Sequence, residues 1–341
     1  MIEIIEIFII AIAQGITEFL PISSSGHNAV IDHLFDLFGN PLTKDSTEFV
    51  KLNVLLHVGS LVAVLIVFRQ RVIDILGKDR RLILMLIVAT IPAGIVGLLI
   101  KKFAPEILTS LPLLSGCFIV TGLLLLYTLR LPEGGKTMST VTWRDGVIIG
   151  CAQAFAILPG ISRSGATIVT GLFCRLKRED AAAFSFILSI PVIAGSGLLE
   201  CRDMIREAKM VQKVEQRAVE FYDVNGTFRE DQKVSYEQFL QELSGKTNVE
   251  KFETWRESEK GQKMESYIRD AAEQLHAETH NRHASTLPDW LLLVGVAVSC
   301  VTGILALVFL LDWLKKGKLW YFAIWVFIMS PLTLTLALLS R

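Results

Sequence analysis

Two apolar segments of this chain are interrupted by the same short polar pattern. The first reads QGITEFLPISSSGH at 14–27, and the second reads QAFAILPGISRSG at 153–165. In both, a glutamine stands eight residues before an isoleucine that opens Ile-Ser-x-Ser-Gly, and the offset from 14 to 153 is 139 residues. Unpaired backbone groups cannot face lipid, so such a break survives in a membrane only inside protein or beside water. The pattern therefore predicts two re-entrant helix–loop–helix segments.

The composition supports placing these segments in a membrane. Of the 341 residues, 52% are hydrophobic, and the mean hydropathy of +0.49 is high for a soluble protein. The formal net charge of zero averages apolar runs with a densely charged stretch from Cys201 to Thr286. The charge pattern therefore does not point to a nucleic acid, and we expect no such partner.

Six further apolar runs are long enough to cross a bilayer. They lie at about 50–68, 82–100, 113–129, 181–199, 290–311 and 319–339. Each half of the chain then holds one re-entrant segment and three spans. Because three is an odd number of crossings, the second half enters the membrane from the side opposite to the first. This predicts an all-α integral membrane protein with an inverted-topology repeat. The first repeat would cover 1–144, the second 145–200 and 287–341, and a polar helical insert 201–286.

Basic residues in the short loops predict the orientation, because such residues favour the cytoplasmic side. They cluster at 69–81, 175–178 and 315–318, which this topology places on one side. Lys101 and Lys102 lie on the other side but are fewer. We therefore expect the insert 201–286 outside the cytoplasm.

The two breaks also carry the residues that can do chemistry. Ionisable side chains at membrane depth are rare and usually functional, and Glu18, His27 and Arg163 are the candidates. Glycine-bounded turns that open a helix can bind anions through backbone N–H groups. An arginine in such a turn suits phosphate, because its planar fork donates two parallel hydrogen bonds. The sequence thus predicts one phosphate-handling site shared by both breaks.

The 139-residue offset shows where the two copies differ. It maps Arg163 onto Ser24, Glu18 onto Ile157 and His27 onto Ala166. Acid–base groups therefore occur in one copy and the guanidinium in the other. Each group also has a structural interpretation: a serine-rich turn can simply cap a helix, a buried histidine can be part of a core, and Arg163 can be an interfacial anchor. We treat His57, near the start of a span, as structural.

The motifs resemble those of the undecaprenyl-diphosphatase family, also called the bacitracin-resistance family. One family motif corresponds to Gln14–His27, and the other, Pro-Gly-x-Ser-Arg-Ser-Gly-Ala-Thr, to Pro159–Thr167. Gln14 stands where many relatives carry glutamate. The resemblance covers 1 to about 200 and again about 287–341, but not the insert.

This resemblance implies an enzyme that hydrolyses undecaprenyl diphosphate to the monophosphate and inorganic phosphate. It would recycle the lipid carrier for peptidoglycan synthesis and confer bacitracin resistance, from a site on the extracytoplasmic side of a bacterial plasma membrane. A divalent cation, Mg²⁺ or Ca²⁺, is expected.

The resemblance also implies roles for single residues. Glu18 would bind the metal or do acid–base work, Ser24 would be the nucleophile or its partner, His27 an acid or base, and Arg163 the diphosphate clamp. The substrate-binding residues would be Gln14, Ser23, Ser25, Gly26, Ser162, Ser164, Gly165 and Thr167.

Several alternatives stay open at this level. Water can attack the phosphorus directly in place of Ser24. A lipid transporter or flippase is the rival function, because inverted repeats with broken helices are a transporter layout. The insert could be a separate binding module, and the chain could form a homodimer.

Overall fold

The structure, a computed structural model, describes residues 2–37, 46–222, 228–229, 232–244, 256, 258, 261–269 and 289–339. These residues form twelve helices that we number in chain order. They are α1 Ile2–Phe19, α2 Ser24–Leu37, α3 Ser46–Val67, α4 Arg69–Gly77, α5 Arg80–Phe103, α6 Leu111–Tyr127, α7 Trp143–Phe155, α8 Arg163–Phe173, α9 Arg178–Phe221, α10 Lys233–Ser244, α11 Asp289–Lys315 and α12 Tyr321–Leu339. A short helical run at 261–269 and 3₁₀ turns at Pro105–Thr109, Thr128–Arg130 and Met138–Thr140 complete the described secondary structure.

Long apolar helices dominate this set. Within the described ranges, five helices are long and apolar enough to cross a membrane, and a sixth is reached if α3 and α4, bent by 76°, count as one span. Most of the apolar stretch of α5 faces outward, with Leu84, Ile87 and Ile95 at least half exposed. Such a surface suits lipid rather than water. The predicted all-α, multi-pass membrane fold is confirmed.

Both predicted breaks separate a pair of helices. α1 ends at Phe19 and α2 begins at Ser24, whereas α7 ends at Phe155 and α8 begins at Arg163. The start of α7 is fixed by a capping box, in which Thr142 accepts a hydrogen bond from the Asp145 backbone and the Asp145 carboxylate accepts one from Thr142.

Glycines allow close contacts between the helices that carry the breaks and their neighbours. A Cβ on Gly15 of α1 would lie 2.5 Å from the Ser299 carbonyl of α11, and one on Gly150 of α7 would lie 2.6 Å from the Ala89 carbonyl of α5. Small residues are the usual means by which membrane helices approach closely. α1 is thereby packed on α11, and α7 on α5.

The chain separates into two compact units, Met1–Leu199 with Leu287–Arg341, and Glu200–Thr286. The span predicted at 181–199 is part of a longer helix, since α9 continues to Phe221 in the range predicted as a polar helical insert. The division into two repeats and an insert stays a prediction.

Aromatic side chains form the core of the unit Glu200–Thr286. The buried members are Phe221, Tyr222, Tyr236 and Phe239, with Phe228 packed against them. The guanidinium of Arg217 lies 4.8 Å from the centre of the Phe239 ring. Burial, and next the Tyr222 hydroxyl, raises the pKa of Tyr236 far above its usual range. The described part of this unit therefore has an aromatic core of its own.

Candidate active site

The first break is closed by hydrogen bonds around Ser23. This residue has φ of 72°, a left-handed conformation that costs a residue other than glycine roughly 1–3 kcal/mol. Its hydroxyl accepts a hydrogen bond from the backbone N–H of Gly26 at 3.3 Å and lies 3.3 Å from the Ser25 hydroxyl. The turn therefore aims the first amides of α2 towards its own serines.

The second break has a similar turn before α8. Here the left-handed residue is Gly160, with φ of 93°. Ser162 accepts a hydrogen bond from the Gly165 amide at 3.1 Å, and its hydroxyl lies 3.1 Å from that of Ser164. Thr121 of α6 supports the turn, because its hydroxyl donates to the Gly160 carbonyl at 2.8 Å and accepts from the Ser162 amide at 3.1 Å.

The two breaks lie against each other, as the sequence predicted. The Ser164 hydroxyl donates to the Leu20 carbonyl at 3.3 Å. A Cβ added to Gly26 would lie 3.3 Å from the Cα of Gly160, and one added to Gly165 would lie 3.3 Å from the Cβ of Pro21. Each turn thus needs its glycine so that the other turn can approach.

Glu18 is the centre of the polar cluster that this contact creates. Its Oε1 accepts a hydrogen bond from Nη2 of Arg163, which comes from the other break. Its Oε2 accepts from the Ser24 hydroxyl at 2.6 Å and from Nε2 of Gln14 at 3.1 Å. Gln14 is held in turn by Nδ2 of Asn28, 2.8 Å from its Oε1. One buried carboxylate therefore connects the hydroxyl of one segment with the guanidinium of the other.

Arg163 retains a donor that the protein does not use. Its Nη1 is buried and has no hydrogen-bond partner in the described structure, although Nη2 is bound to Glu18. An unpaired buried donor costs about 1–3 kcal/mol. An anion that reached Nη1 would satisfy this donor.

A cavity of about 500 Å³ opens beside this cluster. Its lining includes Gln14, Ser24, Ser25, Asn28, Asp32, His33, Asn53, His57, Leu108, Thr109 and Leu111. Nε2 of His57 lies 3.9 Å from Oε2 of Glu18, and its Nδ1 lies 2.8 Å from the Asn53 carbonyl. His57, for which the sequence predicted a structural role, therefore faces the cavity and the Glu18 carboxylate.

His27 lies behind the first turn rather than in the cluster. Its Nδ1 lies 2.7 Å from the Ser23 carbonyl, and its Nε2 accepts a hydrogen bond from the Trp325 indole at 2.7 Å. Both ring nitrogens are thus engaged with groups other than Glu18, Ser24 and Arg163. The acid or base role that the resemblance implies for His27 stays a prediction.

The remaining residues of the second motif pack under Arg163. Ser162, Ser164 and Thr167 are all at least 98% buried. The Thr167 hydroxyl donates to the Arg163 carbonyl at 2.8 Å and contacts the Ser185 hydroxyl of α9. In this arrangement they fix the first turn of α8, on which Arg163 stands, while Ser24, Ser25 and Gln14 line the cavity.

Comparison with known proteins adds an independent observation. The profile of the family described as bacitracin resistance protein BacA matches residues 7–227. The chain belongs to this family. The resemblance drawn from the motifs is thereby confirmed, although the match continues past 200 to 227.

Three curated relatives of this BacA family member share the name undecaprenyl-diphosphatase. This chain is 45% identical over 206 residues to the undecaprenyl-diphosphatase of Rhodopirellula baltica, and the aligned region covers 60% of this chain and 77% of the relative. The undecaprenyl-diphosphatase of Halothermothrix orenii is 39% identical over an aligned region that covers 60% of this chain and 76% of that protein. Undecaprenyl-diphosphatase 4 of Bacillus thuringiensis strain Al Hakam is 43% identical over an aligned region that covers 59% of this chain and 75% of that protein.

The donor set around Glu18 limits how this BacA family site can hold a metal ion. Among the described residues, no three or more His, Cys, Asp or Glu side chains are grouped so that they could share a cation. Both oxygens of Glu18 already accept hydrogen bonds. Mg²⁺ is commonly held by one or two carboxylates together with substrate phosphates and water. Among the described residues, Glu18 is the carboxylate that could share a cation with phosphate oxygens at this site.

Sequence reasoning missed two residues that border the predicted set. His57 reaches the cavity because α3 packs beside α1, and Trp325 reaches His27 from 298 positions away. Neither residue belongs to a motif. An isolated histidine near the start of a span and a tryptophan in an apolar run carry no signal that could have indicated these contacts.

Proposed function

We propose that this protein hydrolyses undecaprenyl diphosphate to undecaprenyl phosphate and inorganic phosphate. By this reaction it would recycle the lipid carrier for peptidoglycan synthesis and confer resistance to bacitracin. The observation that carries the proposal is the link at Glu18, which binds the Ser24 hydroxyl of one break and the Arg163 guanidinium of the other. The name shared by the curated relatives supports the substrate.

The cluster is suited to phosphoryl transfer, which depends on positioning and on neutralising charge on the phosphate oxygens. Nη1 of Arg163 donates to an oxygen of the terminal phosphate. Ser24 Oγ attacks the terminal phosphorus as its proton passes to Oε2 of Glu18, 2.6 Å away. The new bond joins Oγ to phosphorus, and the broken bond joins that phosphorus to the bridging oxygen, so the lipid monophosphate leaves.

A second step restores the enzyme. Water attacks the phosphoserine, the Oγ–phosphorus bond breaks, and inorganic phosphate leaves as H₂PO₄⁻ with both protons of the water. Glu18 returns the proton to Ser24. The C55 chain lies along apolar helix faces, so the reaction takes place at membrane depth.

A divalent cation, Mg²⁺ or Ca²⁺, is part of the proposal. Glu18 would hold it together with oxygens of the diphosphate. When bound, the cation would neutralise charge on those oxygens.

Phosphate release from the purified protein tests the function. Wild type, Ser24→Ala and Arg163→Ala are incubated in detergent with a polyprenyl diphosphate, with and without a chelator. Loss of one anion-stabilising donor typically costs about 100- to 1,000-fold in rate, so we expect losses of this size from Arg163→Ala. Arg144→Ala and Ser139→Ala, both exposed side chains, are the matched controls. Undiminished release from Arg163→Ala would disprove the shared site.

The nucleophile has its own test. Substrate labelled in the terminal phosphate is quenched with acid during turnover, and the protein is assayed for bound label. We expect labelled wild type and unlabelled Ser24→Ala. Direct attack by water would instead leave both proteins unlabelled while wild type releases phosphate. Lipid movement across vesicles without phosphate release would favour the flippase alternative.

The proposed location is a bacterial plasma membrane, with the site open to the extracytoplasmic side. In a cysteine-free variant, Gln238→Cys in α10 and Lys316→Cys after α11 place single thiols at exposed positions. We expect an impermeant thiol reagent to label the first and spare the second in intact cells. The reverse result would overturn the orientation. A homodimer stays a prediction, which light scattering in detergent would test.

A further inference from the structure

His27 has a chemically defined environment on both sides of its ring. An indole N–H can only donate, so the Trp325 contact at 2.7 Å requires an unprotonated Nε2 on His27. The ring proton therefore stands on Nδ1, which donates to the Ser23 carbonyl at 2.7 Å. The Phe118 ring meets the imidazole edge to face, with ring centres 5.6 Å apart. His27 is held as one neutral tautomer with no ring nitrogen free.

Ser23 is the residue on which this arrangement acts. Its left-handed backbone must be held by its surroundings, since residues other than glycine rarely adopt it. The Ser23 carbonyl accepts both the backbone amide of His27 at 3.2 Å and the Nδ1–H of the same residue. The next residue along the chain is Ser24, whose hydroxyl lies 2.6 Å from Glu18. The orientation of Ser23 thus sets the direction in which Ser24 leaves the turn.

We propose that His27 and Trp325 are positioning residues, and that together they hold the Ser23 turn so that Ser24 faces Glu18. His27 acts through its Nδ1–H on the Ser23 carbonyl, and Trp325 fixes the tautomer that makes this bond. α12 thereby contributes to the site although it lies outside both motifs and outside the family match at 7–227. The inference rests on the proposed phosphatase function.

The first test removes the indole donor. Trp325→Phe keeps an aromatic ring beside His27 but leaves Nε2 without its donor, so either tautomer becomes accessible. We expect kcat for phosphate release to fall about 2- to 10-fold, the effect of one neutral hydrogen bond, with KM within about twofold because Trp325 does not line the cavity. Trp313→Phe, in a separate aromatic cluster, is the matched control. Equal kcat for Trp325→Phe and wild type would overturn the role of Trp325.

The second test separates the two nitrogens of His27. The side-chain amide of His27→Asn lies near the position of Nδ1 and can still donate to the Ser23 carbonyl, whereas that of His27→Gln lies nearer the position of Nε2. We expect His27→Asn to retain most of kcat and His27→Gln to lose about 10- to 100-fold, because a small misplacement of reacting groups is costly. Equal and large losses in both variants would overturn the proposal in favour of proton transfer by His27.

Two further measurements keep the outcomes distinct. Wild type must release phosphate, and Arg163→Ala must release it about 100- to 1,000-fold more slowly. If wild type releases none, the proposed function itself has failed. The thermal midpoint of each variant in detergent is compared with that of Trp313→Phe. If Trp325→Phe is unstable, the ratio of kcat between His27→Asn and His27→Gln decides, and a ratio near one contradicts the proposal.

Discussion

The two breaks share a pattern of serine hydrogen bonds but differ in the residue types at several equivalent positions. In each, the first serine accepts from the amide three residues later, at 3.3 Å for Ser23 and 3.1 Å for Ser162. In each, that serine hydroxyl lies within 3.3 Å of the serine two residues on. Gly26 lies close to Gly160, and Gly165 lies close to Pro21. The two contacts are equivalent, because the 139-residue offset maps Gly26 onto Gly165 and Pro21 onto Gly160. The same serine hydrogen bonds thus occur in both breaks, and the two breaks contact each other through equivalent positions, although the left-handed residue is Ser23 in one and Gly160 in the other.

The helices around the breaks extend this correspondence. α1 packs on α11 and α7 packs on α5. By their order in the two predicted repeats, α7 corresponds to α1 and α11 to α5. α6 packs on α12, its own counterpart. Such exchanged pairs are what a twofold relation between two repeats requires, and the inverted repeat itself stays a prediction.

The chemistry of the two breaks differs at the equivalent positions. Glu18 corresponds to Ile157 and Ser24 to Arg163, so the carboxylate and hydroxyl lie on one side and the guanidinium on the other. Two helix starts of this kind can both bind anions, but proton transfer needs one base beside one hydroxyl. The hydrogen bonds common to both breaks therefore position the polar residues, and the reaction that we propose depends on the residues by which the breaks differ.

The largest expected effect tests this asymmetry directly. Glu18→Ala removes the proposed base and the partner of Arg163, so kcat/KM for phosphate release should fall by about 100- to 10,000-fold. Ile157→Ala, the same change at the equivalent position, should alter kcat/KM by less than about twofold. Both are measured beside the unfolding midpoint in detergent. Comparable losses of activity in two folded variants would show that the second break also carries reacting groups at this position.

The glycines of the two turns should differ in how far they tolerate a methyl group. A Cβ on Gly26 would lie 2.7 Å from the Phe118 ring, whereas the nearest atom to one on Gly165 is 3.1 Å away. Overpacking of this kind costs about 1–3 kcal/mol. We expect Gly26→Ala to lower the free energy of unfolding in mixed micelles by that amount, and Gly165→Ala by less. Adding Phe118→Leu should restore part of the loss in Gly26→Ala only; a Gly165→Ala protein as unstable as Gly26→Ala would contradict the difference in packing.

The sequence predicted those features that depend on local pattern and on the solvent. The spans follow from runs of apolar residues, and the two breaks from the cost of unpaired backbone groups in lipid. The meeting of Glu18, Ser24 and Arg163 followed from one repeated spacing. The contacts of Trp325 with His27 and of His57 with Glu18 depend on how distant helices rotate against α1 and α2, and no local pattern records that rotation. The assignment of His57 as structural failed to anticipate its place in the cavity for this reason.

The smallest effect concerns the backbone of the two serines that hold the turns. Ser23 has φ of 72°, whereas Ser162 has φ of −71°, although both accept the equivalent amide. Glycine at either position loses the hydroxyl acceptor, at a cost of a few tenths of a kcal/mol, and increases the entropy of the unfolded chain. At Ser23 alone, glycine also relieves the left-handed strain, roughly 1–3 kcal/mol. Ser162→Gly should therefore lower the free energy of unfolding, and Ser23→Gly should leave it unchanged or raise it. Mixed-micelle unfolding of the two variants measures this difference, and a Ser23→Gly protein less stable than Ser162→Gly would mean that the Ser23 turn is not strained in the folded protein.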